Sequence, residues 1–369
     1  MKNVIHVKPQ HMINAFLVFF VVHTTQIGVG IHGFQRIIYQ EAKQDAWISV
    51  LVIGLASHVI AIIMIKTLEM YDSHDLYGIN REVFGAWIGN FINVIYVFYC
   101  SVAFFSVLRN YIEVIQTWIF PLLSTWFISA TLLLLVIYTF LGGLRVIVGV
   151  AFFSFVLSFW LIIFLVFPLQ YSDPQSLFPI LESEFIDILK GAKAMTFTII
   201  GFEILYIIFP FVKEKKKIAK PVHYGLLVTT LMYLAVIIVS LTYFSGEQLS
   251  KTIWATLSLF SIVRFPFIER FEFLAICFWM MIILPNLCLY VWAAHRGLKG
   301  MINISAKKFI WVFSIIVLLL TISIKSRIQI NAVNNIFAQV AFYVVFIYPL
   351  VLYVLALVKK KLTSQRRLT

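Results

Sequence analysis

Of the chain's 369 residues 62% are hydrophobic and 12% charged, with a mean hydropathy of +0.97. No soluble core needs that ratio. Apolar runs of about 20 residues, enough for a helix to cross a hydrocarbon layer roughly 30 Å thick, recur along the whole length. The sequence therefore reads as one polytopic membrane domain over residues 1–369, and a string of soluble domains is excluded. The net charge of +13 is a topology signal first and an attraction to anionic membrane lipid second, and it implies no nucleic-acid partner.

Taken in chain order, apolar spans are expected at about 11–34, 46–66, 84–108, 119–140, 144–168, 193–212, 221–244, 271–293, 307–324 and 335–358, ten in all. Lys2 and Lys8 ahead of the first run imitate a signal peptide, but that run ends in His23-Thr24-Thr25-Gln26 instead of a small-residue cleavage pattern, so the span is expected to be retained. With the amino terminus on the cytoplasmic side, 19 of the 29 Lys and Arg fall on that side and 10 on the other. Lys213, Lys215, Lys216, Lys217 and Lys220, then Arg296, Lys299, Lys307 and Lys308, then the tail at 359–369 supply most of this bias, which predicts both termini in the cytoplasm. Two outer segments carry helical patterning of their own. Residues 173–193 space Ile180, Leu181, Phe185, Ile188 and Leu189 beside Glu182, Glu184 and Asp187, and residues 247–268 space Leu249, Ile253, Leu257, Phe260 and Ile262. Each is expected to lie on the membrane surface or to plug an outward vestibule.

The cysteines Cys100, Cys277 and Cys288 sit in apolar runs without metal-ligand spacing, and read as small hydrophobes. No Ser-His-Asp set, phosphate-binding loop, metal cluster or pair of catalytic carboxylates is present, so neither a cofactor nor enzymatic chemistry is expected.

Two spans are interrupted. The first contains Gln26-Ile27-Gly28-Val29-Gly30-Ile31, where two glycines flanking one residue let the backbone leave helical geometry. The sixth contains Thr198-Ile199-Ile200-Gly201-Phe202-Glu203. Each break opens a set of five spans, and because five is odd the second set must lie upside down relative to the first. The expected fold is all-α, with ten transmembrane helices in a 5+5 inverted repeat, about 11–168 and about 193–358, whose broken helices meet at the midplane. Glu203 is the one carboxylate well inside a long apolar run, where an ionisable group costs several kcal/mol unless paired or hydrated. It reads as a working site, or as a packing group held neutral by a neighbouring helix. Thr25 and Gln26 before the first break, Thr198 and Tyr206 around the second, Tyr96 and Tyr99 midway along the third span, and Pro285-Asn286 interrupting the eighth complete the candidates; each also has a plain packing or helix-bending reading.

In combination, Gln26-Ile27-Gly28-Val29-Gly30, the Ala46-Trp47-Ile48-Ser49 that opens the second span, and Gly201-Phe202-Glu203 resemble the spore germination permeases, the B subunits of endospore germinant receptors, within the amino acid, polyamine and organocation transporter superfamily. The resemblance extends over nearly the full chain. Where such relatives usually carry a proline soon after the first-span glycines, this chain reads Ile31-His32-Gly33-Phe34-Gln35, which puts the shape of the outer half of that span in question. The resemblance implies a germinant-sensing subunit in the spore inner membrane, partnered by an A subunit and a lipoprotein C subunit and binding a small nutrient such as an amino acid. It places the ligand carboxylate near the N–H groups of Gly28, Val29 and Gly30, and the ammonium near carbonyls and polar side chains of the sixth span, around Gly201 and Phe202. Glu203 is then an ammonium partner, a proton-coupled switch or a strut between the broken helices. An autonomous proton-coupled amino acid transporter needs the same site, and stays open as the alternative.

Overall fold

A computed structural model of the chain describes residues 7–71, 74–266 and 269–365. Lys2, Arg366 and Arg367, which entered the charge count, and residues 267–268 of the second outer segment lie outside these. The described chain is helical throughout, as an apolar segment in lipid must be when every backbone N–H and C=O has to be satisfied within it. Ile13 and Val212 form an isolated β-bridge.

The helices run as α1 (Leu17–Gln26), α2 (Phe34–Ala42), α3 (Ala46–Met70), α4 (Leu76–Phe84), α5 (Ala86–Trp118), α6 (Thr125–Leu141) and α7 (Leu144–Leu169), the last tightening to a 3-10 helix over Phe159–Leu165. There follow α8 (Phe185–Ala194), α9 (Phe202–Phe211), α10 (Ala219–Tyr243), the short α11 (Gly246–Lys251) and α12 (Ala255–Phe260), α13 (Phe271–Met301), α14 (Ala306–Ser323), α15 (Arg327–Phe342) and α16 (Tyr348–Gln365). Seven stretches of these are long and apolar enough to cross a membrane, and α1, α6 and α9 are shorter apolar helices.

The interrupted helices occupy the centre. The α1 half packs against α7 and α10, and α2 packs against α8; around them α3 and α10 pair, as do α5 and α13, while α6 and α14 pair further out. The ring faces outward with large apolar side chains such as Trp87, Phe91, Phe98, Leu134 and Leu319. At one end of the bundle, Ile13 N–H donates to the Phe211 carbonyl at 2.8 Å and Lys213 N–H to the Ile13 carbonyl at 3.0 Å, tying the start of α1 to the end of α9. The backbone N–H of Ala15 adds a bond to the Glu214 carboxylate at 2.9 Å.

Both segments with patterning of their own are helical in part, at Phe185–Ala194 and at Gly246–Lys251 and Ala255–Phe260. The helix foreseen ahead of the sixth span is the first part of that span. It begins at Phe185 because Ile188 and Gly191 dock on α3, where the Ser49 hydroxyl donates to the Ile188 carbonyl at 2.8 Å. The second segment folds into the protein as α11 and α12, burying Leu249, Leu257 and Phe260, and the Gln35–Thr256 hydrogen bond of 2.5 Å holds it on α2.

Candidate ligand site at two facing helix breaks

Helix α1 ends at Gln26; Ile27 and Gly28 are extended, Val29–His32 form a 3-10 turn, and α2 starts after Gly33. Helix α8 continues through one further turn, Thr196–Ile199, before Ile200 turns extended and Gly201 takes φ +124°, a left-handed value that favours glycine. The two breaks touch. A Cβ on Gly201 would lie 2.3 Å from the Thr25 carbonyl oxygen, and one on Gly30 would lie 2.8 Å from the Thr198 hydroxyl.

Loose backbone at these points is held by side chains from three directions. The Tyr233 hydroxyl of α10 lies 2.9 Å from the Gln26 carbonyl and 3.0 Å from the Thr198 carbonyl, so one group spans both breaks. The Gln26 amide donates to the Ile199 carbonyl at 2.8 Å, and the Asn286 amide of α13 donates to the Thr25 carbonyl at 2.9 Å. The Trp279 indole reaches the Gly28 carbonyl at 3.3 Å. Pro285 removes one internal hydrogen bond of α13 immediately before Asn286. The side-chain oxygens of Gln26 and Asn286, both on fully buried residues, find no partner in the protein.

A small cavity of about 20 Å³ remains between the breaks, lined by Thr25, Gln26, Gly28, Val29, Gly30, Thr198 and Asn286 from the sequence candidates, joined by Ala103, Val107, Phe197, Ile200, Tyr290 and Phe337. A buried water needs roughly 10–15 Å³ on this measure, so the cavity has room for about one. Above it opens a vestibule of about 730 Å³, and Val29, Gly30, Phe197 and Thr198 line both spaces. The Phe197 ring meets Phe337 edge-on at 6.1 Å, and Phe337 stacks on Tyr99 at 5.3 Å. The four shared residues form the partition, and Phe337 backs the Phe197 ring.

Glu203 stands behind this cavity. One carboxylate oxygen accepts from the Tyr99 hydroxyl at 2.7 Å and from the Tyr290 hydroxyl at 3.4 Å, and the other accepts from Gly201 N–H at 2.6 Å. Its carbonyl takes a long bond of 3.4 Å from Tyr96. The side chain thus caps its own half-helix and ties it to α5 and α13. Phe202 packs its ring toward Phe346, and Tyr206 is buried in α9, away from the cavity lining. The candidates therefore separate into a lining set and a supporting set of Tyr96, Tyr99, Gly201, Phe202, Glu203 and Pro285, with Tyr206 outside both.

Sequence reasoning missed Tyr233 and Tyr290. Tyr233 lies mid-helix with no local irregularity beside it and Tyr290 stands a turn beyond Pro285-Asn286, and only the packing of α10 and α13 against the breaks gives them a role. Phe197 lies one residue from Thr198 and was open to the same reasoning that selected it. Among the described residues, no group of three or more His, Cys, Asp or Glu side chains is placed to hold a metal ion.

Comparison with known proteins bears on the fold and the family. Three solved mutant forms of a manganese transporter from Eremococcus coleocola share the fold; two of them superpose with a TM-score of 0.57 at 12% identity, over 92% of this chain and 78% of theirs. The chain is 37% identical to spore germination protein GerQB of Bacillus cereus over 96% of its own length and 98% of the relative's. It is 24% identical to spore germination protein A2 of Bacillus subtilis (strain 168), again over 96% and 98%. The spore permease family model, described as spore germination protein, matches residues 12–330. The chain belongs to the spore germination protein family of membrane permeases.

Proposed function

We propose that this chain is the germinant-sensing subunit of a spore germinant receptor, which binds a small nutrient such as an amino acid between the two helix breaks and passes the change on to an A subunit and a lipoprotein C subunit. The observation that carries the reading is the small cavity between the breaks, with the unpartnered side-chain oxygens of buried Gln26 and Asn286 beside it. A ligand ammonium supplies the donors those oxygens lack. Its carboxylate meets the N–H groups that begin the 3-10 turn at Gly28, Val29 and Gly30. Since the cavity has room for about one water, a nutrient enters only when the partition of Phe197, Thr198, Val29 and Gly30 parts. Binding energy is thereby coupled to a change of state, which a receptor requires.

The helices fit ten spans in two inverted sets of five, α1 with α2 opening one and α8 with α9 the other. The vestibule faces away from the cytoplasm and both termini lie in it, in the spore inner membrane. Glu203 acts as the strut, because its carboxylate is engaged by three donors and is absent from the cavity lining.

Two measurements test this. Vesicles holding the chain alone are incubated with a panel of radiolabelled L-amino acids, with and without an imposed proton gradient. Saturable binding without accumulation is expected; gradient-driven accumulation would make an autonomous transporter the better reading. In spores with equal receptor abundance, Glu203→Gln is expected to shift the half-maximal germinant concentration less than about threefold, since an amide can still accept from Gly201 N–H. Glu203→Ala leaves buried donors unmet, at a cost of about 1–3 kcal/mol, and should lose the response. A Gln variant as impaired as the Ala variant assigns the charge or the proton a direct role.

A further inference from the structure

The vestibule above the breaks is lined by four cationic side chains, Arg36 of α2, Lys190 and Lys193 of α8 and Arg327 of α15, against the single carboxylate of Glu41. Two of the four are already matched. Lys190 pairs with Asp187 at 2.7 Å, and Arg327 pairs with Glu113 at 2.7 Å while lying over the Trp254 ring. Arg36 and Lys193 are different. Neither has an ion-pair partner within 4.0 Å among the described residues, the Arg36 Nε is buried without a hydrogen-bond acceptor, and Lys193 rests over the Phe342 ring at 5.4 Å. The α15 wall adds the amides of Asn331, Asn335 and Gln339, while Asn334 is occupied by a reciprocal pair of bonds with Asn110 at 3.0 Å. Two unmatched cations on the outer halves of the two broken helices, with side-chain amides facing them in a space of about 730 Å³, make a receptacle of small-molecule size.

From this juxtaposition we propose that the vestibule is a second ligand site, which takes the carboxylate of a small organic anion between Arg36 and Lys193 ahead of the breaks. Arg36 offers a planar fork to the carboxylate and Lys193 a point charge, and the walls of apolar protein focus the positive field toward the partition. Occupancy also bridges α2 and α8, the halves that must part for anything to reach the cavity below. The proposal rests on the reading above in one respect, that the vestibule is the way in to the breaks.

The test uses the full chain in discs of phosphatidylcholine, so that no anionic headgroup competes, with Cys277→Ser removing the exposed native thiol and Asn335→Cys placing one in the vestibule. The modification rate by an anionic methanethiosulfonate (the ethylsulfonate) is divided by that of its cationic trimethylammonium analogue, and the ratio is normalised to a free thiol. A ratio of about ten or more is expected at low salt, falling severalfold in Arg36→Gln and in Lys193→Gln and to near one in the double variant. Millimolar succinate should protect the thiol in the parent and not in the double variant, whereas choline chloride at equal ionic strength should not protect. A parent ratio near one, a ratio unmoved by the double substitution, or equal protection by choline overturns the site. Amino acid binding at the breaks is read in the vesicle assay and stands or falls separately: an anion-selective vestibule in a chain that binds no amino acid retains this site and removes the other.

Discussion

The two breaks do the same job by different means. The second is a sharp turn at one residue: Gly201 alone carries a left-handed φ of +124°, and its Cα lies so close to the Thr25–Gln26 peptide that an added Cβ would sit 2.3 Å from an oxygen and 2.9 Å from a nitrogen of the backbone. The first break spreads over Ile27 to Gly33 through extended residues and a 3-10 turn, with no positive φ. Its glycines matter for proximity and differ among themselves. A Cβ on Gly28 would meet nothing closer than the Asn286 amide at 3.8 Å, whereas one on Gly30 would press on Thr198. The second break has one point of failure; the first is as tight at Gly33, where a Cβ would lie 2.2 Å from the Ile253 carbonyl oxygen, and keeps slack only at Gly28.

Substitutions sharpen that contrast. Gly201→Ala should have the largest effect. The left-handed backbone costs an L-residue about 1–2 kcal/mol, and the clash is with main chain, which cannot swing aside. We expect loss of most folded protein, read as a collapse of the monodisperse peak and of the thermal midpoint in detergent; an unchanged midpoint would mean that the second break is as tolerant as the first.

Tyr233→Phe ranks next, because one hydroxyl serves the Gln26 and Thr198 carbonyls together and its loss leaves buried acceptors, at roughly 1–3 kcal/mol. A lower thermal midpoint with faster protease cutting near both breaks is expected. Cutting confined to one of them would show that the clamp acts on that break alone.

Gly30→Ala should be milder in stability yet reduce amino acid binding about tenfold or more, since its Cβ lies at the partition, where Gly30 lines both the cavity and the vestibule. Gly28→Ala should be the smallest change, within about twofold in binding and with an unaltered midpoint, as its Cβ finds ordinary contact distance. Equal effects from the two alanines would erase the distinction drawn between them.

The sequence by itself determined that the chain lies in a membrane as helices, where two of those helices are interrupted, and which short motifs mark the family. Each follows from a local cause: an apolar run can satisfy its backbone only as helix, a glycine pair loosens it, and a lone carboxylate in such a run stands out. Thr25, Gln26, Gly28, Val29 and Gly30, with Thr198 and Asn286, all of which line the cavity, were legible as candidates for that reason. Tertiary structure alone decided the rest. It turned the outer segment at 185–194 into the first half of a broken helix and folded residues 246–260 down onto α2, since amphipathic patterning says that a face is buried and not against what. It placed Glu203 behind the cavity, because a carboxylate two residues from Gly201 can turn back to cap the turn or point into the gap, and the tyrosines at 99 and 290 choose between them. Tyr233 and the unmatched charges of Arg36 and Lys193 acquire meaning only where distant helices converge, which no local pattern encodes.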